Sequence, residues 1–266
     1  MGNSRLDHYK HIKFVREGMI LRVIISQGEM NLVHGELHDE LSHVFYDVAA
    51  DPESEVIILQ SEGRVFSAGG DIGYMETLHA KPGEFSSTVR EAKRVVFNLL
   101  DCDKPVICRI QGDAIGLGTT LALLCDIVVA EENARFADPH VSVGLTAGDG
   151  GSVMWPQLVG YARAKYYVLT GEMIDAKTAA EIGLIAFAVP AGELDAKVDK
   201  IAQKLARGAT TAIRSSKATM NIGLKQLAHS MMDAGMAHEG LSNATADHGE
   251  AVAAFKAKRR PVFSKA

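Results

Sequence analysis

The chain has 266 residues, 47% of them hydrophobic and 23% charged, with a formal net charge of −5. That is enough to bury a substantial core, and the composition is ordinary for a soluble globular protein. The mild acidity and the lack of a long basic run argue against nucleic acid as a partner, and no run approaches the ~18 apolar residues of a membrane span.

Cys102, Cys108 and Cys125 form no CxxC pair, so neither a disulfide framework nor a zinc site is expected, and a reducing cytoplasmic location fits. The opening residues hold no signal-peptide core, and Leu6 stands where a myristoylation motif needs Ser or Thr. His8 and His11 have a metal-like spacing but sit in a polar lead-in, so they read as solvated and no metal is expected.

Ile12 to Val15 and Ile20 to Ile25 are β-branched runs around Glu17-Gly18, which predicts a hairpin. Leu37, Leu41, Val44, Phe45 and Val48 recur at helical spacing up to about Ala50. Val56 to Leu59 is continuously apolar, as suits a strand covered on both faces. A small-residue loop, residues 63–72, precedes a helix from about Ser86 to Leu100; Lys104 to Ile110 is a strand, followed by a second glycine loop over residues 112–118.

A helix from Thr119 to Leu124 and short strands at Ile127 to Ala130 and Arg135-Phe136 come next. Strand, glycine loop, helix thus occurs twice, each loop presenting amides where a helix begins, a geometry that favours negative charge. Neither loop has a phosphate-binding signature. Helices from about Met154 or Trp155 and from Ala162 to Thr170 follow, with Pro156 tolerable only in a first turn. After Ala176 to Ile182 and a strand at Ile185 to Val189, everything from Glu193 is helical, with no linker marking a second domain.

The stretch from Ala134 to Ser152 puts His140 and Asp149 nine residues apart on a glycine-rich loop. Pro139 stiffens the turn carrying the imidazole, and its unperturbed pKa of ~6.5 suits proton transfer near neutrality. Asp149 also reads as a helix N-cap, and His140 as a surface histidine; the two readings stand side by side.

Several ordered motifs are similar to those of the crotonase (enoyl-CoA hydratase/isomerase) superfamily over nearly the whole chain. They are Phe66-Ser-Ala-Gly-Gly-Asp-Ile72, Lys104-Pro-Val-Ile107, Gly116-Leu-Gly118, Cys125-Asp-Ile127, Leu169-Thr-Gly-Glu172, Gly183-Leu184 and the tail from Phe255 to Phe263. The resemblance implies an α/β fold, a crotonase-like spiral of ββα units over residues 1–195, with a helical C-terminal region, 196–266, involved in trimerisation. A homotrimer or a dimer of trimers is the implied assembly.

The resemblance also implies an acyl-CoA substrate, with coenzyme A part of the substrate and no separate cofactor. The amides of Ala68 and Leu117 would bind a thioester oxygen as an enolate develops, each donor contributing ~3 kcal/mol. Ser67, Gly69, Gly70, Asp71, Gly116, Thr120 and His34 are the expected substrate contacts, and Lys256, Lys258, Arg259 and Arg260 the candidates for CoA phosphates. The two glutamates of the hydratases are replaced here by Thr120 and His140.

His140 is therefore the expected general acid/base, Asp149 its orienting partner or a share in water activation, and Glu239 a further active-site carboxylate. The His/Asp spacing and Ala237-His-Glu239 also resemble the β-diketone hydrolases of the same superfamily, which cleave a carbon–carbon bond. That reaction, on a small carbonyl substrate, and a non-catalytic binding protein are the two rival functions. The other histidines, His38 and His248 among them, are expected to be surface or packing residues.

Overall fold

The computed structural model describes residues 5–264. The opening Met1-Gly2, on which the lipidation expectation falls, lies outside them. The chain runs β1 (Ile12–Glu17), β2 (Ile20–Ile25), α1 (Gly35–Ala49), β3 (Val56–Ser61), α2 (Ile72–Ala80) and α3 (Phe85–Asp101). It continues with β4 (Val106–Ile110), β5 (Ala114–Ile115), α4 (Leu117–Leu124), β6 (Ile127–Glu131), β7 (Arg135–Ala137) and a 3-10 turn, His140–Val143. Last come α5 (Gly151–Thr170), β8 (Ile174–Asp175), α6 (Ala176–Glu181), β9 (Phe187–Val189), α7 (Leu194–Ala206), α8 (Thr210–Asn243) and α9 (Ala246–Lys256).

A six-stranded sheet has the order β1-β2-β3-β4-β6-β9, with β1 and β2 antiparallel and the other pairs parallel. A three-stranded sheet, β5-β7-β8, stands beside it. β3 shows why its run is apolar throughout. Ile57 and Leu59 face the main core with α1 and α3, whereas Val56 and Ile58 join Val198, Ala202 and Ala206 of α7 on the other face. A parallel strand buried on both faces has no side left for polar residues.

The hairpin, α1 and α3 stand close to where the sequence places them. α2 was not foreseen: only Leu78 of its nine residues is buried, so its apolar pattern is weak, and Asp71 caps it by accepting from the Tyr74 amide at 2.9 Å. α5 begins at Gly151, earlier than expected, so Pro156 lies beyond its first turn, and Gly160 at φ +76° breaks it where two helices were expected.

The helical tail packs on its own chain. Lys217, Asn221, Ala228, Met232, Met236, Glu239 and Asn243 make one buried stripe on α8. Met232 and Met236 join the main core. The polar members find partners: Lys217 reaches the Asp126 carboxylate at 2.7 Å and the Lys104 carbonyl at 2.8 Å, and Asn221 donates to the Leu100 carbonyl at 3.0 Å. Among the described residues no helix is long and apolar enough to cross a membrane.

Candidate active site

A cavity of about 620 Å³ opens between the two glycine loops, the 3-10 turn, α8 and α9. The loops interlock through glycine. A Cβ at Gly69 would lie 3.0 Å from the Ile115 carbonyl oxygen, and one at Gly118 would lie 2.8 Å from Ser67 Cβ. Only glycine permits so close an approach.

The loop amides divide into used and unused. The Ala68 N–H, expected to face substrate, donates instead to the Met30 carbonyl at 2.9 Å and is unavailable. Gly69 lies at φ +86°, and the Gly70 N–H just beyond it meets no acceptor among the described residues. The Leu117 N–H, first in α4, likewise meets none there. Gly70 and Leu117 both line the cavity, so the candidate pair of amides is Gly70 with Leu117 rather than Ala68 with Leu117. Two unpaired N–H groups on adjoining loops suit an oxygen that becomes negative.

Three other expected contacts move. Ser67 is buried; its hydroxyl donates to the Asn31 carbonyl at 2.8 Å and accepts from the Gly69 amide, so it props the loop and does not line the cavity. Thr120 is buried too and donates to Asp149 at 3.3 Å, positioning a carboxylate rather than a water. His34 lies off the cavity wall, at the N-terminus of α1, with its ring 4.7 Å from that of His11. Gly69, Asp71 and Gly116 do line the cavity.

His140, Asp149 and Glu239 meet on one wall, backed by a buried fourth group that the sequence reading missed. Asp138 holds His140 Nδ1 at 2.5 Å, while Asp149 approaches Nε2 at 3.6 Å. Orientation of the ring therefore falls to Asp138, and Asp149 faces the nitrogen that can exchange a proton. The Asp-Pro-His run is the signal that was available: one intervening proline sets the two side chains on the same side of the turn. Glu239, on α8, accepts from the Gly148 amide at 3.2 Å.

Burial alone would push His140 towards neutrality, but the charges of Asp138, Asp149 and Glu239 overcome it and raise its pKa well above the usual histidine value. Burial raises Asp149, against the opposing effects of His140, the Gly151 amide and Thr120. Burial and the neighbouring Asp149 push Glu239 up to about 8. Both shifts favour a charged imidazole and a protonated Glu239.

That proton has a consequence for stability. Between the ordinary carboxylate value and about 8, the folded state keeps a proton on Glu239 that the unfolded chain has released. Stability is fullest below that window and is lost as pH rises through it. Glu239→Gln should flatten the decline in Tm between mildly acidic and mildly alkaline pH, leaving the slope from His140, which has the same sign; parallel thermal melts of the two proteins check it.

Gly151 makes the Asp138 contact possible. A Cβ there would strike Asp138 Oδ2, which has no hydrogen-bond partner in the described structure. Gly151→Ala should push Asp138 off the imidazole and lower kcat about 100-fold, because a displacement of ~1 Å suffices for that. An unchanged kcat with a normal circular dichroism spectrum would count against the role of Asp138.

Among the histidines expected to be surface or packing residues, His38 lines the cavity and pairs with Glu91 at 2.6 Å. His248 is fully buried and meets the carbonyl of Val143, the last residue of the turn that carries His140, at 2.6 Å. Of the tail cations, Lys256 is paired with Glu76 at 2.8 Å and Arg259 with Glu250, while Phe255 reaches the cavity.

Two sheets, and a cavity lined by two helix-leading glycine loops and an imidazole–carboxylate cluster, make up a crotonase-like fold with a candidate active site. The sequence profile of the Enoyl-CoA hydratase/isomerase family matches residues 16–266, and the chain belongs to that family of enzymes. It is 34% identical over 259 residues to a crotonyl-CoA hydratase of Syntrophomonas wolfei, covering 96% of this chain and 98% of that one.

Solved structures agree. An enoyl-CoA hydratase/isomerase from Mycobacterium paratuberculosis superposes with a TM-score of 0.86 at 34% identity, covering 93% of this chain and 99% of its own. A β-diketone hydrolase from the cyanobacterium Anabaena, bound to (S)-3-oxocyclohexyl acetic acid, gives a TM-score of 0.84 at 31% identity, covering 90% and 96%. The family resemblance read from the motifs, including its β-diketone hydrolase branch, is matched on both sides.

Proposed function

We propose that this enzyme acts on an acyl-CoA thioester through an enolate held by the Gly70 and Leu117 amides, with His140 and Asp149 moving the protons. The observation that carries the reading is the pair of unpaired amides sharing a cavity with His140. The thioester oxygen would accept both N–H groups, and the charge it gains on enolisation is stabilised by donors already in place.

For hydration the protons balance within the cluster. Asp149 accepts a proton from water as the hydroxide adds to the β-carbon, and the His140 imidazolium protonates the α-carbon. The proton on Asp149 then returns to Nε2, 3.6 Å away. Thr120 and the Gly151 amide keep Asp149 in place. Lys258 and Arg260, with Lys256 and Arg259 once freed from their glutamates, are the groups proposed for the CoA phosphates. On the same footing, the chain is proposed to assemble as a homotrimer or a dimer of trimers with residues 196–266 at the interface, which light scattering would check.

One observation favours a second reading, hydrolysis of a carbon–carbon bond in a β-diketone. Among the described residues the cavity wall holds Asp149 and Glu239 beside His140 but no Lys or Arg to meet a phosphate. There His140 and Asp149 would activate water to attack a carbonyl, and the same amides would hold the enolate that leaves. Turnover assays separate the two. Conversion of short or medium enoyl-CoAs, or of their hydroxy forms, supports the first; no thioester turnover beside water-dependent cleavage of a cyclic β-diketone replaces it with the second.

A further inference from the structure

We propose that His11, His34 and Glu36 form a binding site for one divalent transition-metal ion of the zinc class. The three contribute two imidazoles and a carboxylate, and their ligand atoms all lie within 4.8 Å of one another. His11 Nε2 is 3.2 Å from Glu36 Oε2, and the His11 and His34 rings meet edge to face at 4.7 Å. Ligands about 2.0–2.2 Å from a tetrahedral zinc stand ~3.4 Å apart, so small rotations of side chains close the triangle round an ion. A fourth position would face solvent and take water.

The backbone already fixes where two of these ligands start. The amides of Lys10 and His11 donate to the Glu40 carboxylate at 2.8 and 3.0 Å, and the His11 carbonyl accepts from Ser26 at 2.8 Å. His34 stands at the N-cap of α1, where a Ser, Thr, Asp or Asn would cap the helix, yet its side chain makes no capping bond. Its carbonyl accepts from His38 at 2.9 Å, which holds the backbone and leaves the ring for another task. Lys10 approaches Glu36 only at 4.0 Å on an exposed side chain and can swing away as the ion enters.

The chemistry selects the class of metal. Two imidazoles and one carboxylate suit zinc, nickel or copper better than magnesium or calcium, which prefer all-oxygen shells. An ion there would tie the entry to β1 to the start of α1. Val33, next to His34, pairs with the chain on both sides of Gly70, through its amide to the Gly69 carbonyl and its carbonyl to the Asp71 amide, both at 2.9 Å. The site thus sits behind the strut that carries one of the unpaired amides, outside the cavity. His8 and His11 have the metal-like spacing in the sequence and read as solvated; the fold instead brings His11 to His34, 23 residues further on.

The test is calorimetric titration of the untagged, chelator-treated full chain with zinc chloride at neutral pH, repeated in excess magnesium. The expected result is one zinc per chain, undisturbed by magnesium, weakened about tenfold or more by His11→Ala and by His34→Ala, and unchanged by His140→Ala. Because either histidine variant could perturb the hairpin, histidine NMR of the unaltered protein provides a second reading: zinc should shift the His11 and His34 ring resonances and leave that of His140 in place. No stoichiometric zinc uptake, uptake that survives in the His11→Ala, His34→Ala double variant, or shifts confined to His140 would each overturn the proposal.

Discussion

Replacing His140 with alanine should lower kcat by about 10²–10⁴-fold while leaving KM for the substrate nearly unchanged, because general acid/base transfer accounts for that range. The ring touches the reacting region through Nε2 alone, since Asp138 occupies Nδ1, and the cavity around it is otherwise built from loops that stay paired without it. The fold should tolerate the change. Removing the imidazolium deletes the positive charge that opposes the effect of burial on Asp149 and Glu239, so both pKa values should rise further. A pre-steady-state assay that follows solvent deuterium entering the α-position would read the loss directly. A kcat within a few-fold of the unaltered enzyme would exclude His140 from proton transfer.

A second large effect should follow from Leu117→Pro, which removes one amide hydrogen and little else from the backbone. Leu117 is the first residue of α4, and proline is accepted at that position because the missing N–H has no partner within the helix. Loss of one such donor should cost about 10²–10³-fold in kcat. Leu117→Gly is the control: it removes the same side chain but keeps the N–H, so it should retain most of the rate. Comparable losses in both variants would show that the side chain, rather than the donor, matters. Gly70 offers no equally clean substitution, since a Cβ there would meet Met75 Cε at 2.6 Å.

How far the sequence reached depends on the kind of contact involved. β3 was legible because burial on two faces demands an unbroken apolar run, and α1 because one buried face demands period 3.6. α2 was not, since a helix resting on a cavity rim with only Leu78 inside leaves no stripe. Motifs marked the two loops, but which amide turns into the cavity depends on a backbone rotation at Gly69 that no residue letter records. His140, Asp149 and Glu239 could be singled out by chemical type; that Thr120 serves Asp149, and that Ser67 serves Asn31, are facts of packing at close range. His34 failed as a pocket residue because the chain turns its ring towards His11 instead.

Gly148 and Gly235 press together so closely that a Cβ on the first would lie 2.3 Å from the carbonyl oxygen of the second. Through that contact, and through Phe255 on the wall, the cavity is closed by segments synthesised long after its glycine loops. A nascent chain on the ribosome can therefore complete its sheet while its chemistry is still missing a side. The last helices to be made thus finish both the core, through Met232 and Met236, and the pocket, through Gly235 and Phe255.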